Sequence, residues 1–308
     1  MSYPISATAI VSDAPKDNHP SWRKEKVQLR EPDEDELLVR MIASGVCHTD
    51  ILISSFPEGV PGFQPYPKIL GHEGAGVVEE VGSKVSNVKK GDKVLLSFDY
   101  CGREGCRACE DETPSYCNEF FAKNLFNVPN VYQVDGERSA GGLFFGQSSF
   151  SSIALVKETS VVNVEQLVKD EEELKLFAPM GCGYQTGAAA VTELVNVGKK
   201  DVVVVFGLGG VGMSAIMVCP FLALKIAPIK SPTLEILTGI RLRVFEMHAP
   251  SLVSTEYSHV SAWRRNWVQP TSLTHRTSKT LQRTFLQLFE RLHRRVQMQY
   301  LTQQVWCL

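Results

Sequence analysis

Nowhere in its 308 residues does this chain carry an apolar run of the roughly twenty residues that a bilayer crossing requires. Its first residues, Met1-Ser2-Tyr3-Pro4-Ile5-Ser6, have neither the basic flank nor the apolar core of a secretory signal. Membrane insertion and export to an oxidising space are therefore not expected, and the cytoplasm is the default location. In a reducing compartment eight cysteines argue for metal sites over disulfides. Scarcity is also local. Residues 219–308 contain no Asp and only one Gly, Gly239, of the chain's 23. They hold 12 Lys or Arg against 4 acids, whereas residues 1–218 hold 20 against 30, so the net charge of -2 hides segments of +8 and -10. Three of the four Trp also fall in this last stretch, and so sharp a shift marks a boundary.

What remains is the composition of an ordinary soluble protein, 44% apolar and 21% charged, long enough for two cores. The run from Glu36 to Ser44 predicts a buried strand that delivers Gly45-Val46-Cys47-His48-Thr49-Asp50 at its end. Gly76-Val77-Val78-Glu79-Glu80-Val81-Gly82 predicts a second, and Lys90-Gly91-Asp92 a turn into Val94-Leu95-Leu96-Ser97. Short strands divided by Gly turns imply a β-rich first domain. At its centre stands Gly71-His72-Glu73-Gly74-Ala75-Gly76, with Cys47 before it and Cys182 after it. Two thiolates and one imidazole hold a soft divalent metal while leaving the fourth position open, which is a catalytic arrangement. Cys101, Cys106, Cys109 and Cys117 lie within seventeen residues and can close a tetrahedral zinc shell of the structural kind. Set against this, clustered thiols can also be unrelated or disulfide-bonded, which the compartment disfavours.

Residues 170–177 predict an acidic helix start, and residues 179–197 a helical stretch that carries Cys182 and is capped by Gly198. Asp201-Val202-Val203-Val204-Val205-Phe206 has the continuous apolar character of a buried parallel strand. Gly207-Leu208-Gly209-Gly210-Val211-Gly212 follows, with a helix expected from Met213. A glycine triplet alone is weak evidence, but between a strand and a helix it is the dinucleotide fingerprint.

With these features in this order, the chain resembles the zinc-dependent medium-chain alcohol dehydrogenases from about Ala7 to Val218. The stretches Ser97 to Gly102 and Phe145-Gly146-Gln147-Ser148-Ser149-Phe150 look most like the aryl (benzyl) alcohol branch. The resemblance implies an α/β plus β-rich fold: a GroES-like catalytic domain over residues 1–177, then an incomplete Rossmann domain starting over 178–218. Residues 219–308 form a non-matching basic segment. It further implies one catalytic zinc on Cys47, His72 and Cys182, with Glu73 beside them and Asp50 orienting the ring of His72. The structural zinc falls to Cys101, Cys106, Cys109 and Cys117. Thr49 takes the alcohol's proton, His48 lies near the cofactor pyrophosphate, and Gly207, Gly209 and Gly212 hold NAD or NADP. The implied reaction oxidises a primary aromatic or allylic alcohol to its aldehyde. Partners are then small-molecule alcohols or aldehydes, with homo-oligomerisation left open.

Three departures stand out. The spacing Cys101-x4-Cys106 is two residues longer than the family's, bracketed by Gly102 and Gly105. Leu52 occupies the place of a histidine that completes the proton relay in some members. After Val218 the resemblance stops: Pro220, Pro228 and Pro232 oppose a continued helix and a second strand, and no acid stands near Ser231 to grip the ribose. Only one parallel strand is expected, with unpaired edges and weak nicotinamide binding, so an inactive zinc-binding remnant is the alternative reading. A shifted reading frame or retained intron is the expected origin of the C-terminal part. There Leu281, Phe285, Leu288, Phe289, Leu292 and Val296 make an apolar helical face flanked by arginines. A membrane surface, calmodulin or nucleic acid could take such a helix, but without aromatic stacking positions or a groove motif neither a nucleic-acid nor a membrane partner is expected.

Overall fold

The computed structural model describes residues 2–17, 19–63, 65–194, 197–198, 201–219, 241–246, 284 and 287–288. Among the described residues twelve strands run in chain order: β1 (Ile5–Lys16), β2 (His19–Leu29), β3 (Glu36–Gly45), β4 (Lys68–Ile69), β5 (Glu73–Val81), β6 (Lys93–Leu96), β7 (Val128–Val134), β8 (Arg138–Gly142), β9 (Ile153–Lys157), β10 (Val161–Asn163), β11 (Asp201–Phe206) and β12 (Arg241–Glu246). The α-helices named among the described residues are α1 (His48–Ser54), α2 (Arg107–Glu110), α3 (Phe120–Leu125), α4 (Glu171–Leu176), α5 (Gly183–Ala189) and α6 (Gly210–Val218). A closed barrel has the order β1-β2-β7-β8-β4, and a five-stranded sheet the order β10-β6-β5-β3-β9. The β-rich first domain expected from short Gly-divided strands is thus what the chain builds. Among the described residues no helix is long and apolar enough to cross a membrane.

Alternation sets the layers. Ala7, Ala9, Val11, Val27, Leu29 and Val131 fill the barrel. In the second sheet Val39, Val78, Val94, Leu96 and Val156 share one core, while Ala75, Leu95 and Val162 turn towards α4 and α5 and join Ala188, Ala215 and Val218 of the helical layer. Asp170 caps α4 by accepting the Glu173 amide at 2.9 Å, as the acidic helix start foretells. The helical stretch after Cys182 is α5 followed by one π-helical turn, Ala190–Leu194, so it ends before the expected cap at Gly198.

Beyond the first domain two expectations are corrected. The helix after the glycine turn starts at Gly210, three residues before Met213, because the turn's last glycine is already helical. More consequentially, β11 is not alone: β12 pairs with it in parallel over six residues, from Asp201↔Arg241 to Phe206↔Glu246. Its source, Arg-Leu-Arg-Val-Phe-Glu, is a short run of apolar residues set among charges, beyond Pro220, Pro228 and Pro232 and farther from the glycines than a second strand is expected. Leu288 of the expected C-terminal helical face is fully buried in the same core as α5 and α6. The positions about Ser231 and the rest of that face lie outside the described residues.

Glu36 anchors the start of β3. Its carboxylate is wholly buried, takes two bonds from Arg30 (2.8 and 2.9 Å) and one from the Asp33 amide (3.0 Å), and lies 2.9 Å from Lys157 Nζ. Burial alone would raise its pKa, but Arg30, the Asp33 amide and Lys157 outweigh it and hold the carboxyl below its ordinary value. Glu36→Gln is expected to cost about 1–3 kcal/mol in urea unfolding at neutral pH, because it removes the buried partner of half-buried Arg30 and Lys157, which are left with Asp33 and Asp35. Since the folded value is depressed, the Glu36 contribution is full above the unfolded value of 4.5 and is lost as pH falls through the folded one. The gap between variant and native protein should therefore close in acid; a gap independent of pH would contradict this role.

Candidate metal centre and cofactor turn

The register of β3 against β5 builds the site. Gly45 pairs with Glu73, so the residue two beyond the end of β3, Cys47, meets the residue just before β5, His72. Gly71 makes the approach possible: its φ is +91°, and any Cβ there would strike the Phe150 amide at 2.6 Å. Cys182 arrives separately, between the 3-10 turn Ala178–Gly181 and α5. Ligand atoms of Cys47, His72 and Cys182 all lie within 4.8 Å of one another.

Asp50 joins the pieces. Its fully buried carboxylate accepts the Cys47 amide at 2.9 Å, capping α1, and the Gly71 amide at 3.0 Å, and stands 3.0 Å from His72 Nδ1. That leaves Nε2 of the buried His72 without a hydrogen-bond partner, facing the two sulfurs. An orphaned ring nitrogen costs about 1–3 kcal/mol unless something binds it. The sulfurs of Cys47 and Cys182 are 4.0 Å apart, close to the roughly 3.8 Å that a tetrahedral ion with 2.3 Å bonds imposes. The residues present therefore fit a zinc ion. The Cys182 hydrogen bond, with help from His72, holds the Cys47 thiol down to about 3 against burial, and the Cys182 thiol is pushed well up by the same contact. Burial disfavours charge on His72, but Asp50 and Cys47 raise it well above its ordinary value. A standing thiolate of this kind suits a cation.

Thr49 places its hydroxyl 3.7 Å from Cys47 Sγ, inside the centre, while His48 opens α1 half-buried on its rim. Glu73 offers no atom to the ligand group; it accepts the Gly183 amide at 3.0 Å and so supports the loop of Cys182. Burial above all pushes its carboxyl up to about 7. The stretch Phe145 to Phe150, which the sequence marks only by its likeness to the aryl branch, forms the wall of the site with Phe144, against the ring of His72. Phe145 stacks on His72 at 4.5 Å, Phe144 meets the ring edge-on at 5.7 Å, and Gln147 is buried behind them. Leu143, Phe145 and Ser148 have φ between 53° and 56°, a backbone path that no residue type there announces.

Cys101, Cys106, Cys109 and Cys117 form a second group, again with sulfurs within 4.8 Å of one another. Cys101 and Cys109 are 3.6 Å apart and Cys106 and Cys117 4.0 Å. The two extra residues in the Cys101-x4-Cys106 spacing are taken up by left-handed Gly102 and Gly105. In the glycine turn Gly207 has φ +89°, and a Cβ on Gly212 would collide with the Gly207 carbonyl. A Cβ on Gly209, the N-cap of α6, would meet nothing within 4 Å, so its amide edge is open to a phosphate. Helix α6 packs on α5, and Val211 comes within 3.9 Å of the Cβ position of Gly183, directly after Cys182.

Elemental analysis of the purified chain should find up to two zinc ions. Fewer than about one, with chelators excluded, contradicts both assignments. Cys109→Ser should lower the melting temperature, since a closed four-thiolate shell carries folding energy; an unchanged melt contradicts a zinc role for the lobe.

Residues 33–166 match the family model described as the alcohol dehydrogenase GroES-like domain. The chain is 45% identical over 178 residues to a probable alcohol dehydrogenase of Pseudomonas sp, covering 56% of this chain and 53% of that protein. It is 40% identical over 200 residues to the geraniol dehydrogenase of Castellaniella defragrans, covering 63% and 50%. The crystal structure of benzyl alcohol dehydrogenase from Acinetobacter calcoaceticus superposes with a TM-score of 0.60 at 33% identity, covering 72% of this chain and 57% of that one. The chain thus spans about half the length of the curated relatives it matches. The domain match, the relatives and the β-barrel with its flanking sheet agree: residues 33–166 form an alcohol dehydrogenase GroES-like domain, and the chain is similar in sequence and fold to alcohol dehydrogenases.

Proposed function

We propose that this protein oxidises a primary aromatic or allylic alcohol to the aldehyde, the carbinol carbon giving a hydride to NAD or NADP and the hydroxyl giving up its proton. The observation that carries this reading is the convergence of Cys47, His72 and Cys182 beside the Thr49 hydroxyl, with α5, which starts directly after Cys182, packed on the helix that follows the glycine turn. Zinc, when bound, supplies a Lewis acid that eases loss of a hydroxyl proton, and nicotinamide supplies the hydride acceptor.

The chain's own groups do the rest. Thr49 Oγ1 would accept the substrate's hydroxyl proton, and Leu52, one turn on in α1, has no group to take it further, so Thr49 is the residue of this helix that handles the proton. Asp50 fixes the tautomer of His72 by engaging Nδ1, which points Nε2 at the sulfurs. Phe144, Phe145 and Phe98, with Phe56, Phe63 and Tyr100 packed against them, keep the wall apolar and exclude water. An aromatic ring or an allylic chain suits such a wall better than ethanol does, in keeping with the benzyl alcohol and geraniol named for two relatives. The amides at residues 207–212 and the start of α6 would take the pyrophosphate.

Initial rates for the zinc-loaded chain should be higher with benzyl alcohol than with ethanol, and Cys47→Ser should abolish them while the far-UV spectrum is kept. Equal or better specificity for ethanol would reject the aromatic preference. Calorimetry with NAD and NADP separates a working enzyme from a silent zinc-binding form: absence of binding to either cofactor would contradict the proposed reaction.

A further inference from the structure

The antiparallel ladder between β5 and β6 stops early. Its last pair towards the metal centre is Ala75↔Leu95; continued in register it would join Gly74 to Leu96 and then Glu73 to Ser97. A side chain takes that place. Gln147 is fully buried; its Oε1 accepts the Gly74 amide at 3.1 Å, and its Nε2 donates to the His72 carbonyl at 3.0 Å and the Ser97 carbonyl at 2.9 Å. The His72 carbonyl and Gly74 amide lie on one edge of the strand, so the carboxamide engages them as a neighbouring peptide would. Ser97 then donates its hydroxyl to the Gly181 carbonyl at 3.1 Å, immediately before Cys182. One amide thereby links the backbone that carries His72 to the backbone that carries Cys182.

We propose that Gln147 is a positioning residue that sets the separation of His72 from Cys182 in the metal centre, an inference that rests on reading Cys47, His72 and Cys182 as metal ligands. Of the ordinary side chains of this length, only glutamine offers two N–H donors and an acceptor in one plane. Glutamate would turn an oxygen towards two carbonyl oxygens, asparagine is a methylene short, and methionine fills the space while leaving two buried carbonyls and an amide unpaired. The segment reaches this place through the left-handed backbone of Leu143, Phe145 and Ser148, and is held there by Ser148, which donates to the Ile69 carbonyl at 2.7 Å and accepts the Phe144 amide at 3.0 Å.

Cobalt(II) titration of the metal-stripped full chain tests the role, because a two-sulfur, one-nitrogen centre and a four-sulfur lobe give different visible bands. Gln147→Met is expected to weaken cobalt at the Cys47–His72–Cys182 centre by about 10- to 100-fold and shift its bands, with lobe affinity unchanged. Ser97→Ala, which frees only the Gly181 carbonyl, should act in the same direction by a smaller factor. Native affinity and bands at that centre in Gln147→Met, or parallel loss from both sites, would overturn the proposal. Should Gln147→Met not fold, unchanged affinity at the centre in Ser97→Ala overturns it. If the native chain shows only lobe bands, indifferent to Cys47→Ser, the metal-site reading itself fails and this role with it.

Discussion

A single buried carboxylate holds the site together. Asp50 satisfies the first turn of α1 through the Cys47 amide, the Gly71 amide that precedes β5, and the inner nitrogen of His72. With no water to compete, each of these charge-assisted bonds contributes about 1.5–3 kcal/mol, and removing the carboxylate would leave two amides and a ring nitrogen unpaired at once. The cost of burying that charge is met by the imidazole's readiness to carry a proton or to face a cation. The free Nε2 is the outward consequence: with Nδ1 engaged by Asp50, the other ring nitrogen is left beside two sulfurs.

The two sheets and the helical layer make this arrangement rigid. One β-sheet, through β3 and β5, presents Cys47 and His72; the core beneath it, shared with α5 and α6, presents Cys182 and the glycine turn. Because α5 begins at the residue after Cys182 and packs on α6, the proposed metal centre and the glycine turn share one structural support. The four-cysteine lobe connects through Asp99. The Asn124 side chain accepts the Asp99 amide and donates to the Asp99 carbonyl, each at 2.8 Å, and Lys123 reaches the Asp99 carboxylate at 3.2 Å, tying α3 to the end of β6 next to Ser97.

Much of this was legible in the residues. Cys47, His72, Cys182 and the four lobe cysteines carry chemistry that few alternatives explain, and strand–glycine–helix order at 201–218 speaks for itself. What could not be read has physical reasons. Gln147 looks like any polar loop residue, because its importance lies in a ladder that stops short, and ladder ends are not encoded locally. The left-handed turns at Leu143, Phe145 and Ser148 are set by tertiary packing against residue types that ordinarily avoid them. The β12 strand was missed because its pairing lies across some 35 residues rather than at the usual distance from the glycines, and contacts that distant leave no local trace. The departures weighed at Cys101-x4-Cys106 came out as a matter of two permissive glycines.

The central claim is that Cys47, His72 and Cys182 are one metal centre organised by Asp50. Anomalous diffraction at the zinc edge from crystals of the full chain measures this directly. The account predicts a peak about 2.0–2.3 Å from Cys47 Sγ, Cys182 Sγ and His72 Nε2, besides one in the four-cysteine lobe. A zinc signal in the lobe alone, with His72 Nε2 bonded to a protein or water atom instead, would contradict it.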